Sequence, residues 1–230
     1  MVKKLELPII ERKKIAEDTF EIRFGLENKR FNFKAGQYVK ISIKVNVKDN
    51  RGSSKDFSIS SSPNTKDYIA TCLRIPDKAS EFKQFITSCP IGTKVRIVGP
   101  QGVFTLPEKT DRHIVMLAGG IGITPFMSMI RFSGEEGLEY KLHLVYTNKN
   151  KKRLAYLKEL KILEKKNPNF NMETLFERIN QEFIAEKVKK SQNALWYICG
   201  LPAMVVNVRE ILMKTSVAEK DIFLEEFTGY

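Results

Sequence analysis

The sequence predicts two domains: an N-terminal antiparallel β-barrel over residues 1–106, then an α/β domain with a parallel sheet over residues 107–230. Three observations carry this reading. Upstream of Leu106, short strand-like runs are separated in several places by glycine- or proline-containing turns, the mark of antiparallel strands. Downstream of Pro107, apolar runs alternate with helical patterns, which implies a parallel sheet covered on both faces. Between one such strand and its helix stands Ala118-Gly119-Gly120-Ile121-Gly122-Ile123-Thr124-Pro125, a turn whose glycines let the backbone approach a ligand closely.

In the first half, residues 19–26, 38–45, 68–75 and 94–98 read as strands. The second is the clearest, because Val39, Ile41, Ile43 and Val45 fall on one face and polar residues on the other. Ser80, a good N-cap, opens a helix at Glu81-Phe82-Lys83-Gln84-Phe85-Ile86. In the second half, strands are expected at 114–117, 142–146, 172–175, 195–198 and 222–224, and helices at 125–132, 154–165, 182–190 and 202–213. Thr124 is the expected N-cap of the first of these helices and Pro125 its first residue. The free N–H groups of a helix start behind a glycine turn suit a phosphate or pyrophosphate. Ligands on such sheets bind outside the carboxyl ends of the strands. The glycine turn lies at one such end and Cys199-Gly200-Leu201-Pro202 at another, so together they predict a crevice.

Composition narrows the function classes. With 230 residues, 42% hydrophobic and 29% charged, the chain is a folded globular protein. No apolar run approaches the ~18 residues that mark a membrane span. No secretory leader is expected behind Met1-Val2-Lys3-Lys4, and a reduced, cytoplasmic setting is expected. The three cysteines, Cys72, Cys89 and Cys199, have no CxxC spacing and fall short of the four ligands of a cysteine-bound iron–sulfur cluster. His113 and His143 sit in strand-like runs, and no metal site is expected. The net charge of +12 is concentrated at 149–153, Lys165-Lys166, Lys187 and Lys189-Lys190. It makes a solvated surface and a field for an acidic partner or phosphorylated cofactor. No nucleic-acid module accompanies it.

Five motifs in order resemble those of the ferredoxin–NADP⁺ reductase superfamily, nearly end to end. Lys55-Asp56-Phe57-Ser58-Ile59-Ser60-Ser61-Ser62-Pro63 resembles its flavin motif, and residues 118–125 its nicotinamide motif. Cys199-Gly200-Leu201-Pro202 matches the Cys-Gly-x-Pro element. Ala35-Gly36-Gln37-Tyr38 and Gly99-Pro100-Gln101-Gly102-Val103-Phe104 resemble its barrel signatures. The resemblance implies an FAD-binding barrel and an NAD(P)-binding α/β domain. It places Phe57 against the isoalloxazine ring, Ser58 near flavin N5, and Lys55, with neighbouring Asp56, where the family usually has arginine at the pyrophosphate. Lysine there keeps the charge and loses the planar fork. Leu73, Arg74 and Ile75 correspond to the strand along the ribityl and phosphate chain, and Ala79 and Ser80 to the second pyrophosphate element. Gly119, Gly120, Ile121, Gly122, Thr124 and Pro125 would receive the dinucleotide, with Cys199, Gly200, Leu201 and Pro202 forming the second wall and Cys199 near the nicotinamide C4. Nothing beside Cys199 suggests a lowered pKa, so it is not read as a nucleophile.

The C-terminal run Phe223-Leu224-Glu225-Glu226-Phe227-Thr228-Gly229-Tyr230 resembles the closing strand, with Glu225 near the flavin and either Phe227 or Tyr230 covering its ring. Lys149, with Arg178 beyond the third strand of the sheet, stands where a 2′-phosphate would be met, and no acid is placed for a free 2′-hydroxyl. NADPH is therefore favoured over NADH. The expected activity is FAD-dependent NAD(P)H oxidoreduction: a hydride to flavin N5, then electrons to a separate acceptor, with ferredoxin or flavodoxin suited to the basic charge. The alternatives are a flavin or ferric reductase, an electron-transfer subunit of a larger complex, or a non-catalytic nucleotide-binding interaction module.

Overall fold

The computed structural model describes residues 2–45 and 47–228. The first sheet has six antiparallel strands: β1 (Lys3–Ala16), β2 (Thr19–Gly25), β3 (Tyr38–Ser42), β4 (Ser54–Ser58), β5 (Tyr68–Arg74) and β6 (Lys94–Gln101), in the order β4-β3-β6-β1-β2-β5. A bridge between Ile59 and Thr71 brings the chain beyond β4 against β5 and closes the sheet into a barrel. Helix α1 (Glu81–Ser88) covers one end, burying Phe82 and Ile86 with Leu7, Ile9, Ile22, Val39 and Ile41.

β1 has no counterpart among the expected strands. Leu5, Leu7 and Ile9 do alternate, but Pro8 and the charged run 11–14 obscure the pattern, since proline argues against a central strand. The strand works by division. Residues 3–8 pair with β6, residues 9–16 pair with β2, and the register shifts between Ile9 and Glu11. The strand expected at 38–45 is shorter than its alternation implied. Its ladder with β4 ends at Ser42, opposite Ser54, so Ile43 is still buried while Val45 is 39% exposed.

The second sheet is parallel. It contains β7 (His113–Gly119), β8 (Lys141–Thr147), β9 (Phe170–Leu175), β10 (Leu195–Gly200) and β11 (Ile222–Glu226), in the order β11-β10-β7-β8-β9. Helices α2 (Ile123–Glu135), α3 (Leu157–Lys166), α4 (Gln181–Lys190) and α5 (Pro202–Lys214) connect them. Both faces are buried. Ile114, Met116 and Ala118 point toward α2 and α3, whereas Val115 and Leu117 join the core under α4 and α5. The chain leaves β7 toward β8 on one side and returns through β10 on the other. This reversal puts a crevice at the carboxyl ends of β7 and β10, where the two glycine turns lie.

The start of α2 corrects an expectation. A 3₁₀ turn at Gly120–Gly122 intervenes, Gly122 occupies the N-cap, and Thr124 and Pro125 are the second and third helical residues. Thr124 does not cap. Its hydroxyl donates to the Ile121 carbonyl at 2.7 Å. Pro125 is accommodated because the first-turn N–H groups have no intrahelical acceptor. Similarly, α3 begins at Leu157 rather than at 154, after a 3₁₀ turn at Lys151–Arg153. Phe104, leaving the barrel, packs on Phe126 and Tyr197 at 5.7 and 5.3 Å between centroids and joins the two domains.

Candidate active site

A cleft of about 430 Å³ runs from β3, β4 and β5 of the barrel, past α1, to the glycine turn and the C-terminal segment. One end is cationic. Lys55, Arg74 and Lys83 line it, beside the N-terminus of α1. Ser80 caps that helix by accepting from the Lys83 N–H at 3.3 Å, and Ala79 is buried next to it. Lys83 is only 6% exposed. Burial, with the charges of Lys55, Arg51 and Arg74, pushes its ammonium down to about 8. The Nε–H of Arg74 is buried and has no hydrogen-bond partner. A buried donor left unmade costs about 1–3 kcal/mol. Cations gathered round an orphaned guanidinium N–H at a helix start fit a diphosphate. This is the chemistry that the pyrophosphate of FAD would meet.

The middle of the cleft has an aromatic wall. Phe57 lines it and is backed by Phe82 at 5.8 Å with the rings nearly parallel, which leaves an aromatic surface for a flat ring. Leu73, buried on β5, and Tyr38, opposite Ser58 in the β3–β4 ladder, complete the wall. Asp56 is also on the wall, 3.8 Å from the Lys40 ammonium. Ile75 is not on the wall. It packs against the barrel core, as the residue after the end of β5.

At the far end Ser58 donates a hydrogen bond to Glu225. Burial raises the Glu225 carboxyl to about 7, and the bond from Ser58 works against that rise. Phe227 lines the same region, its N–H bonded to the Gly200 carbonyl at 2.9 Å. Tyr230, the alternative ring cover, lies outside the described residues. Ile121 and Thr124 carry the wall into the crevice. Cys199 is fully buried between Ala118 and Glu225 of the neighbouring strands and is absent from the wall; burial, then Glu225, raises its thiol well above the usual range. Pro125 is buried in α2, while Gly200 is buried and Leu201 exposed before Pro202 opens α5.

The glycines divide the work differently from a simple cradle. A Cβ on Gly122 would overlap the Cys199 carbonyl, so this glycine lets the two turns meet. A Cβ on Gly119 would strike Met204. Of the glycines in this turn, only Gly120 has a left-handed backbone (φ 56°) with open space on its Cβ side, so no side chain stands over the turn there.

Lys149 and Arg178 are exposed in the loops after β8 and β9, outside the wall of the main cleft. Beside the crevice, Asn148 and Arg153 share a small recess with Arg74, Gly120 and Ile121, and Arg153 also pairs with Glu17 at 3.3 Å. Lys83 has no place among the sites expected from sequence, and Arg153 enters there only as part of the basic run 149–153. For Lys83 a signal was present: a cation in the first turn of a helix opposes the macrodipole and is out of place unless an anion binds. Among the described residues no group of three or more His, Cys, Asp or Glu could hold a metal ion, and no helix is long and apolar enough to cross a membrane.

Two family models match the chain: an oxidoreductase FAD-binding domain over residues 6–106 and an oxidoreductase NAD-binding domain over residues 116–210. The toluate 1,2-dioxygenase electron transfer component of Pseudomonas putida is 27% identical over 207 residues, covering 86% of this chain and 59% of that protein. The chain spans between 45% and 59% of the length of this and two further curated relatives, a glycine betaine monooxygenase reductase subunit and an anthranilate 1,2-dioxygenase electron transfer component. Among solved structures, a cytochrome P450 reductase of Amycolatopsis superposes with a TM-score of 0.85 at 20% identity, covering 98% of this chain and 70% of that one. Ferredoxin–NADP⁺ reductase from Plasmodium falciparum superposes with a TM-score of 0.78 at 20% identity, covering 98% and 97%. At these identities the structural matches establish the fold.

Proposed function

The chain carries an oxidoreductase FAD-binding domain and an oxidoreductase NAD-binding domain, and from that premise we propose that it is a member of the ferredoxin–NADP⁺ reductase superfamily, an FAD-dependent NAD(P)H reductase passing electrons to a separate acceptor protein. The observation that carries this reading is the continuity of one cleft. It joins a cation cluster at Lys55, Arg74 and Lys83 to the Ser58–Glu225 pair and to the glycine crevice at the switch point of the second sheet. FAD, when bound, supplies hydride acceptance and onward electron transfer. Lys55, Arg74 and Lys83 hold its diphosphate, Phe57 presents a ring face, and the Gly119–Gly122 turn with the start of α2 receives the diphosphate of the nicotinamide nucleotide. The domain boundary falls near residues 106–107.

Ser58 and Glu225 act as a proton-holding pair. With Glu225 ionised, the Ser58 proton is committed to the carboxylate. With Glu225 protonated, the carboxyl can itself donate and the Ser58 hydroxyl can turn toward a ligand in the cleft. Names of the relatives as electron transfer or reductase components support a protein acceptor. The charge of +12 favours an acidic one, with ferredoxin and flavodoxin as the proposed classes.

The test is spectroscopic. The purified protein, or the apoprotein after addition of FAD, should show protein-bound flavin bands that bleach anaerobically on adding NADPH and recover when reduced flavin meets oxidised ferredoxin. A protein that takes up no flavin, or whose flavin is not bleached by either nicotinamide, refutes the proposal.

Two narrower expectations belong with it. Since Lys83 loses its proton near 8 in the apoprotein and a diphosphate prefers the charged form, FAD affinity should fall as pH rises past about 8. The dissociation constant, read by flavin fluorescence, should increase several-fold between pH 7 and 9, approaching tenfold per unit at most. Lys83→Met should flatten that dependence. For the nicotinamide, Lys149 and Arg178 are proposed to meet a 2′-phosphate, so Lys149→Asp should shift the NADPH-over-NADH ratio of kcat/KM by about tenfold, one charge contact's worth. An unchanged ratio removes Lys149 from the site.

A further inference from the structure

Helix α2 has two ends with different duties. Its first turn lines the cleft through Thr124, and one and two turns further on Ser128 and Arg131 appear on the same face. Both are fastened to the barrel. Ser128 donates to the Ser61 carbonyl at 2.7 Å and Arg131 Nη1 to the Ser60 carbonyl at 2.6 Å, only two to three residues beyond Ser58.

The fastening converges on one barrel carboxylate. Glu21 on β2 is 2% exposed. It accepts from the Tyr156 hydroxyl at 2.9 Å and from Arg23 Nε at 2.9 Å, and lies 3.5 Å from Arg131 Nη2. Arg131 in turn forks onto Glu159 of α3 at 2.7 and 2.8 Å and lies over the Tyr156 ring at 5.0 Å. Tyr156 stands in the left-handed region (φ 60°), so its backbone is held in a conformation that a bulky residue adopts only when surroundings enforce it. Cys72, the β5 neighbour of Glu21 and a wall residue of the cleft, touches both Tyr156 and Thr124.

The surroundings give this network its meaning. An open groove of about 440 Å³ lies between the domains here, lined by Arg23, Ser61, Ser62, Arg131 and Glu159. Beside this groove, polar ties join the buried packing of Cys72 against Tyr156 in spanning the interface. Buried charged hydrogen bonds are short and directional, and their net contribution to stability is small beside their geometric restriction.

We propose that Glu21, through Arg131 and Tyr156, is a positioning device that sets the start of α2 against the Ser58–Glu225 end of the cleft. It thereby sets the distance between nicotinamide and flavin. This rests on the reductase reading above. None of the three residues touches the reacting groups. Their effect passes through the rigid first two turns of α2 and through the segment 58–61.

The experiment uses the full chain with FAD, comparing the native protein with Glu21→Gln and Tyr156→Phe. Flavin retention should be unchanged, because the diphosphate cations lie elsewhere in the cleft. The dissociation constant for NADPH should change by less than about threefold, since each half-site is intact. The rate of flavin bleaching at saturating NADPH should fall by up to about a hundredfold, the scale of a 1 Å misplacement. The long-wavelength flavin–nicotinamide charge-transfer band, which reports ring overlap, should weaken with it. Without any cofactor, amide exchange at residues 60–62 and at the start of α2 should quicken in both variants. Tyr156→Phe preserves the ring and serves if Glu21→Gln fails to fold. Native bleaching and charge-transfer absorbance retained in the variants overturn the inference, as does amide exchange identical to that of the native protein. Failure of the native protein to bind or bleach flavin refutes the reductase reading instead, so the two failures are distinct.

Discussion

Replacing Arg74 with leucine should weaken FAD retention about thirtyfold to a hundredfold and leave the apoprotein as stable as the native chain, or more stable. The two directions follow from one fact, the buried Nε–H of Arg74 without a hydrogen-bond partner. Such a group costs about 1–3 kcal/mol in the apoprotein, and leucine removes it while keeping apolar contact with the strand. A phosphate oxygen arriving at that N–H turns the cost into a charge-assisted bond of about 1.5–3 kcal/mol, which leucine forgoes. Arg74 also stands next to Lys83, whose ammonium it depresses. Its removal therefore lets Lys83 hold its proton to higher pH and moves the pH limit of FAD binding upward. Flavin fluorescence gives the affinity and thermal unfolding of the apoprotein gives the stability. If both fall together, Arg74 is a structural residue of the barrel. If affinity is unchanged, the diphosphate lies elsewhere.

The parts of this molecule legible in sequence are those whose causes are local. The alternation at Val39 and Ile41, the cap at Ser80 and the glycine turns depend on a few consecutive residues, and the structure shows them as barrel strand, helix start and crevice. What was not legible depends on partners far along the chain. Val45 continues the alternation, yet the ladder that would bury it has already ended at Ser54. Pro8 argues against a strand until two partners, β6 and β2, are known to divide β1 between them. Gly122 reads as a phosphate-facing glycine, but the carbonyl of Cys199, on a strand 77 residues away, decides why no side chain fits there. Glu21 reads as an ordinary polar strand residue; only its encounter with Tyr156, 135 residues later, turns it into the buried centre of a domain contact. Motifs reveal where chemistry is placed. The orientation between two motif-bearing domains comes from long-range pairs that no local pattern encodes.

Glu225→Gln should raise native stability at pH 8 by on the order of 3 kcal/mol and abolish the pH dependence of flavin reduction near neutrality. Burial holds the Glu225 carboxyl at about 7 in the folded protein, above its usual 4.5. The unfolded chain therefore releases this proton from about pH 4.5, while the folded chain keeps it until about pH 7. Native stability should decline across that interval and level off above it, each unit of difference being worth about 1.4 kcal/mol. Glutamine has nothing to ionise, so its advantage should be absent at pH 4 and complete by pH 8. Ser58 can still donate to the amide oxygen, which keeps the geometry at that end of the cleft. Activity should also fall as pH rises. In the native protein the protonated fraction of Glu225 falls through pH 7, and with it the freedom of the Ser58 hydroxyl to face the cleft. Flavin reduction should then carry a pH inflection near 7 that the glutamine variant lacks. Thermal unfolding from pH 4 to 8 and stopped-flow bleaching over the same range separate the two effects. A native stability profile flat between pH 4.5 and 7 would show that the carboxyl is ionised in the fold, and an inflection surviving in the variant would assign the rate-controlling proton to another group.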